Sequence, residues 1–244
     1  MMEKQLKSKY EKFSYVYNVM NYDFPYNLWF DIINPYNKET SVLDVGCGTG
    51  ELLNMLKASR GVGIDNSETM IEIARETAPS LEFLVADMKD FNLDETFDLI
   101  MATADVLNYV SDIEELKSVL LSVKKHMNKE SVFIFDMHSE FKILNEFNGE
   151  IYMDETPDIT YIWEVSNGEE ELSVIHDITY FIKDKDNKYD KYKETHYQQG
   201  FSHNETIELL DNLGFEIIST FSDFDAENEI LEMCDRNFFI IKLK

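Results

Sequence analysis

The chain has 244 residues, 44% of them hydrophobic, enough to bury a sizeable core in one large domain or two small ones. Its 48 acidic and 22 basic residues leave a formal charge of −26, and Arg60, Arg75 and Arg236 are the only arginines. That balance argues against a nucleic-acid partner, which needs clustered Lys and Arg, and against docking on anionic lipid.

No apolar run approaches the roughly 20 residues of a membrane span, and the first residues lack the apolar core of a secretory signal. Cys47 and Cys234 stand in no Cys-x-x-Cys pair, so a cytoplasmic protein is expected.

In chain order, Tyr10, Phe13, Val16, Tyr17 and Met20 return at helical steps, and Pro25 opens a second segment through Trp29 and Ile33; residues 1–38 read as an aromatic helical cap. Short apolar runs then alternate with amphipathic stretches: Val42–Val45, Gly61–Ile64, Phe83–Val85, Leu99–Met101 and Val132–Phe135. Strands apolar on both faces belong in a parallel sheet covered by helices, which sets the class as α/β. The helix predicted over 112–126 takes Ser111 as its cap with Glu114 three residues on, and buries Ile113, Leu116, Leu120 and Val123.

Between residues 149 and 200 the period falls to two. Leu172, Val174, His176, Ile178 and Tyr180 alternate with Ser173, Asp177 and Thr179, after a turn at Asn167-Gly168 and before another at Asp184–Lys188. This predicts a three-stranded antiparallel meander inserted into the α/β domain and facing the substrate, with His176 a packed histidine on the apolar stripe. A helix over 203–213, capped by Ser202 and stopped by Gly214, and strands at 215–221 and 237–243 complete the core. The chain is thus expected to be one domain, with its core at 39–148 and 201–244.

Three of the nine glycines fall in Val42-Leu43-Asp44-Val45-Gly46-Cys47-Gly48-Thr49-Gly50, between a buried strand and a helix. Glycines there let a ligand approach the backbone, and a helix N-terminus favours anionic groups. The Gly-x-Gly-x-Gly spacing departs from the dinucleotide fingerprint Gly-x-Gly-x-x-Gly, which disfavours a nicotinamide oxidoreductase. Asp65 ends the second strand, where a carboxylate can accept both ribose hydroxyls. Asp87 and Met88 end the third, an acid for an exocyclic amine and an apolar arm for a ring face.

In this order the set resembles the class I S-adenosylmethionine-dependent methyltransferases, and Asp65-Asn66-Ser67-Glu68-Thr69-Met70 resembles their Asp-x-Ser-x-x-Met signature. The resemblance covers most of the chain and is nearest to the small-molecule branch that includes YqeM-type, sarcosine-type and amino-sugar N-methyltransferases. Further segments that carry it are Tyr10-x-x-Phe13-x-x-x-Tyr17, Pro25-Tyr26-x-x-Trp29, Asp105-Val106-Leu107-Asn108-Tyr109 and Phe135-Asp136-Met137-His138-Ser139. It implies a Rossmann-like seven-stranded sheet with helices on both faces, and S-adenosylmethionine as cofactor with S-adenosylhomocysteine as product. It implies that Gly46, Gly48, Asp65, Asp87 and Met88 hold that cofactor, with Tyr10, Tyr17 and Trp29 closing over the methyl-donor end. Asp44, Cys47, Asn66, Met70, Thr103 and Asp105 are assigned to the same cofactor set. The family's Pro-Gly-Gly turn before the fifth strand reads Asn128-Lys129-Glu130 here.

Methyl transfer from a sulfonium is an in-line displacement that depends on geometry and exclusion of water. An amine acceptor must also lose a proton, for which Tyr109, His138 and His196 are the candidate catalytic groups. Ala102-Thr103-Ala104-Asp105 lacks the Asp/Asn-Pro-Pro-Tyr loop of nucleic-acid amino-methyltransferases, and Asp136-Met137-His138 lacks the Asp-Asn pair of metal-dependent catechol methylation, so no metal is expected. The expected activity is N-methylation of a small-molecule amine by a monomer or homodimer. O-methylation of a small molecule, methylation of a protein, and a non-catalytic nucleoside-cofactor-binding role are the alternatives.

Overall fold

The computed structural model describes residues 24–38, 40–184, 186–227 and 229–244. Tyr10, Tyr17 and the helix expected before residue 24 lie outside them. Pro25 precedes helix α1 (Tyr26–Ile33), which runs into a 3-10 turn at Asn34–Tyr36. The core then alternates β1 (Ser41–Val45), α2 (Glu51–Leu56), β2 (Arg60–Asp65), α3 (Glu68–Thr77), β3 (Glu82–Val85), β4 (Phe97–Ala102), α4 (Ile113–Lys125) and β5 (Met127–His138). After the insertion it resumes with α5 (His203–Asn212), β10 (Phe215–Ser222) and β11 (Arg236–Leu243).

The seven core strands are ordered β10-β11-β5-β4-β1-β2-β3, parallel except for β11, which runs antiparallel to both neighbours. The alternation of apolar runs places successive residues on opposite faces, and each face carries a core. Leu43, Ile100, Phe133 and Phe239 pack with Leu116 and Leu120 of α4 and Leu210 of α5. Val42, Leu99, Ile134 and Phe238 pack with Trp29 and Ile33 of α1, Leu53 of α2 and Ile71 of α3. The chain moves outward from β1 to β3 and then crosses back to β4, so the order reverses between β1 and β4. A crevice opens there at the carboxyl ends of the strands, where open α/β sheets bind ligands.

The insertion is a four-stranded antiparallel sheet, where three strands were expected. Its order is β6 (Ile151–Glu155), β7 (Ile159–Asn167), β8 (Ser173–Lys183) and β9 (Tyr189–Gln199). β6 is an edge strand with Ile151 and Met153 exposed, so no buried face imposed an alternation by which to read it. The cap of α4 is also shifted by one residue. Asp112, not Ser111, accepts the Glu115 backbone N–H (2.9 Å), while the Glu115 carboxylate accepts the N–H of Ser111 (3.0 Å). Ser202 does cap α5, accepting from Glu205 N (3.2 Å), and Gly214 at φ +79° follows it. The residues Asn128-Lys129-Glu130 form a bulge inside β5: Phe97 and Leu99 of β4 pair with Met127 and Val132, five residues against two.

Candidate active site

The crevice is a cleft of about 1610 Å³. Its first wall follows from the glycine loop. Gly46 and Gly48 adopt φ +76° and +51°, a region that costs other L-residues about 1–2 kcal/mol. The N–H groups of Gly46 and Cys47 both donate to Ile64 O (2.8 and 2.9 Å), folding the loop against β2. A Cβ on Gly46 would stand 2.5 Å from Val106, so the glycine lets the loop after β1 meet the loop after β4.

Asp65 accepts from Gly48 N (3.0 Å) and Ser67 N (2.9 Å), one on each carboxylate oxygen. An ionised carboxylate offers about four acceptor positions, so capacity remains for a vicinal diol, and burial raises the Asp65 pKa against these N–H donors. Asp87 is half-exposed and accepts Lys89 N (2.9 Å). Asn66, Met70 and Met88 line the same wall, so its residue types suit a nucleoside: an acid for the diol, an acid for the amine, and thioethers for the ring. Asp44, only 2% exposed, has its carboxyl pushed up to about 8 by burial, with Asp65 adding to the rise. Burial and the same two carboxylates push the Cys47 thiol well up, so it stays protonated and is no nucleophile.

The second wall joins residues far apart in the chain. Asp136, fully buried on β5, accepts the Trp29 indole N–H (2.9 Å) and the N–H groups of Ala104 (2.9 Å) and Asp105 (3.4 Å), and pairs with Arg236 of β11. Ala104 and Asp105 hold φ values of +57° and +55°, two consecutive left-handed residues without a glycine, so the Asp136 carboxylate clamps a strained turn. The Arg236 guanidinium lies 4.9 Å from the Trp29 ring centroid and 5.4 Å from that of Phe224, and Trp29 stacks on Phe24 at 4.9 Å.

From this turn a hydrogen-bonded chain crosses into the inserted sheet. Gln198 Nε2 donates to Asp105 Oδ2 (2.9 Å) and Gln198 Oε1 faces His176 Nε2 (3.0 Å), while Trp163 Nε1 donates to His176 Nδ1 (3.0 Å). Because Nδ1 accepts, the proton of a neutral His176 sits on Nε2 and is donated to Gln198. Burial pushes this imidazole down to about 4. His176 is thus a packed histidine, as expected, with both ring nitrogens engaged. Asn108, fully buried, ties the same loop to both sheets: its Nδ2 donates to Gln199 O (2.9 Å) and its Oδ1 accepts from His138 N (2.9 Å).

The cleft brings together Trp29, Asp44, Gly46, Cys47, Gly48, Asp65, Asn66, Met70, Asp87, Met88, Thr103, Asp105, Tyr109 and His196. His138 does not line it. That imidazole is buried behind Asp105 with Nε2 3.4 Å from Asp105 Oδ2, and its Nδ1 has no partner. The inserted sheet presents Ile178, Tyr180, Tyr192, Glu194 and His196 to the cleft, on one face of β8 and β9. His196 Nδ1 lies 3.5 Å from Tyr109 Oη, and its Nε2 lies 3.4 Å from Glu194. Arg236 was not singled out by sequence reasoning; Asp136 and Asn108 entered only within the segments that carry the resemblance, and Asn108, expected on the substrate-facing loop, is fully buried and does not line the cleft. Being one of only three arginines was the one signal Arg236 carried. Among the described residues no three His, Cys, Asp or Glu side chains gather as a metal site, and no helix is long and apolar enough to cross a membrane.

Comparison with known proteins bears on this cleft. Residues 36–199 match the family described as Methyltransferase domain. YqeM of Bacillus subtilis (strain 168), a methyltransferase by name, is 35% identical over 237 residues, covering 94% of this chain and 95% of that protein. Over 98 residues, 39% of each chain, the dTDP-4-amino-2,3,4,6-tetradeoxy-D-glucose N,N-dimethyltransferase of Saccharopolyspora spinosa is 31% identical. The crystal structure of an S-adenosylmethionine-dependent methyltransferase from Clostridium acetobutylicum ATCC 824 shares the fold with a TM-score of 0.85, at 24% identity, over 96% of this chain and 98% of that one.

Proposed function

The chain belongs to the class I S-adenosylmethionine-dependent methyltransferases, and from that premise we propose that it methylates the nitrogen of a small-molecule amine. The observation that carries this reading is the charge of the cleft. Among the described residues its lining holds Asp65, Glu68, Glu72, Asp87, Asp105 and Glu194 against Lys89 and Lys193, while Asp44 keeps its proton up to about 8. Both lysines are already paired, Lys89 with Glu115 (2.9 Å) and Lys193 with Asp177 (3.1 Å). Such a wall favours a cationic group over a carboxylate at the reacting end of the acceptor. The partial match to an amino-sugar N,N-dimethyltransferase is in keeping with an amine.

S-adenosylmethionine supplies a methyl group on a sulfonium. On this reading Gly46, Gly48, Asp65, Asp87 and Met88 hold its nucleoside, with Asp44, Cys47, Asn66, Met70, Thr103 and Trp29 around them. The inserted sheet, residues 149–200, forms the acceptor wall. Tyr180, Tyr192 and Ile178 give the acceptor an apolar face and exclude water from the reacting atoms. Tyr109 and His196 take the proton that an ammonium acceptor must lose: it passes to Tyr109 Oη as the Tyr109 proton moves to His196 Nδ1, and Glu194 faces the resulting imidazolium. His138 then acts from behind Asp105 and touches no reacting atom.

Incubation with methyl-labelled S-adenosylmethionine and a panel of amino sugars, alkylamines, hydroxy compounds, carboxylic acids and basic peptides tests the reading. Label in the amines supports it. Label confined to hydroxy or carboxylic acceptors, or to peptides, overturns it in favour of O-methylation or protein methylation.

A further inference from the structure

Asp105 sits where the two walls meet. It follows Thr103 and Ala104 at the end of β4, beside the glycine loop, and its Oδ2 is tied to Gln198 of the inserted sheet. Two carboxylates, Asp105 and Asp136, share one guanidinium: Arg236 pairs with Asp136 and lies 3.8 Å from Asp105 Oδ1. His138 also reaches this cluster, its Nε2 3.4 Å from Asp105 Oδ2. Arg236 makes its shorter contact with Asp136, so Asp105, the member on the cleft, is the less compensated of the two carboxylates. An uncompensated charge in a partly buried site is costly until a ligand cation balances it.

We propose that Asp105 is a charge-selecting residue, whose carboxylate makes the cleft hold the sulfonium of S-adenosylmethionine more tightly than the neutral thioether of S-adenosylhomocysteine. The inference rests on the amine reading. When an amine lone pair forms the new N–C bond and the C–S electrons return to sulfur, one positive charge moves from sulfur to nitrogen, so the site stays cationic throughout. An anion beside that path does not oppose transfer, and it loosens the thioether once the proton and the methylated amine have left. With a carboxylate acceptor the charge would be annihilated, and Asp105 would work against the step. Gln198 and Arg236 are positioning residues, holding the two carboxylate oxygens from opposite sides.

Calorimetric titration of the full chain with S-adenosylmethionine and, separately, S-adenosylhomocysteine provides the test. Asp105→Asn should weaken the sulfonium ligand about tenfold and leave the thioether within about twofold, as expected for loss of one charge pair in a partly screened site. Asp105→Glu should restore most of the discrimination, whereas Asp87→Asn should weaken both ligands alike. Equal losses for both ligands in Asp105→Asn, or no loss for either, overturn the proposal.

Should Asp105→Asn not fold, the wild type decides by pH. The groups facing Asp105 are Asp136 and His138 of β5, Arg236 of β11 and Gln198 of β9, with His176 behind. Burial alone would raise the Asp105 pKa, but His138, Arg236 and Gln198 hold it well below the ordinary carboxylate range. The preference for the sulfonium should thus stay flat from about pH 6 to 9. A preference that grows as pH passes 8 assigns the selection to Asp44 instead and overturns the proposal. A wild type that binds neither ligand refutes the cofactor reading itself, an outcome distinct from all of these.

Discussion

At the glycine-loop end of the cleft the backbone does the shaping. Gly46 and Gly48 take left-handed conformations, and Asp65 is held by two N–H groups from its own neighbourhood in the chain. At the opposite end the shape comes from side chains brought together over long separations: Trp29 reaches Asp136 across 107 positions, and Gln198 reaches Asp105 across 93. The first kind of site is a local property that a short motif can specify. The second exists only once both sheets are assembled, so its strength depends on complete polar partnering, where one missing member strands the rest.

The side-chain end is the more vulnerable, above all at Asp136. Asp136→Ala removes the partner of Arg236, the Trp29 indole and the Ala104 N–H together, and should cost about 3–5 kcal/mol in urea unfolding. A loss below about 1 kcal/mol would mean that the long-range network is dispensable. Next comes Gly46→Val, which combines a left-handed φ with a Cβ 2.5 Å from Val106 and should cost about 2–4 kcal/mol in the same assay. Near-neutral behaviour there would remove the backbone argument for the first wall. Gly48→Val shares the φ penalty.

Asp65→Ala sharpens the contrast, because it should leave the fold in place while weakening S-adenosylmethionine by about 1.5–3 kcal/mol per hydrogen bond lost. Unchanged affinity in calorimetry would detach Asp65 from the ribose. A further contrast lies in the pH dependence without ligand. Asp44 in the folded chain keeps its proton up to about 8, whereas the unfolded carboxyl loses its proton above about 4. Stability should therefore fall as pH rises through that interval, by about 1.4 kcal/mol per unit, and the Asp44→Asn variant should lose this slope between pH 6.5 and 8. His176 works in the opposite sense: with its pKa pushed down to about 4, the folded chain loses stability as pH drops from 6.5 toward 4, where only the unfolded imidazole takes up a proton. A wild-type profile that matches Asp44→Asn between pH 6.5 and 8 would contradict the burial argument for Asp44.

The same contrast explains what the amino-acid sequence revealed. The α/β core was legible because strands buried on both faces must be apolar throughout, and the runs at Val42–Val45 and Leu99–Met101 lie inside β1 and β4. The glycine-loop wall was legible because Gly46, Gly48, Asp65 and Asp87 lie at or just after strand ends, within short motifs. Of the wall on the inserted sheet, the alternation that puts Ile178 and Tyr180 on one face of β8 could be read, and His196 of β9 was a candidate. Nothing local marked which groups Asp136 and Arg236 would meet, because both lie in apolar strands and their partners come from other elements. β6 escaped because an exposed edge strand has no burial pattern, and His138 was taken for a cleft residue because a strand's end does not show which way its last side chain turns.

The reacting sulfur should lie between a wall built by backbone and a wall built by side chains. A crystal structure of the full chain with S-adenosylhomocysteine measures this directly. The ribose is predicted to meet Asp65, and the sulfur to lie beside the Thr103–Asp105 turn with the space before it lined by Tyr109, Tyr180 and His196. A sulfur facing away from that turn, or a space before it that the inserted sheet does not line, would contradict it.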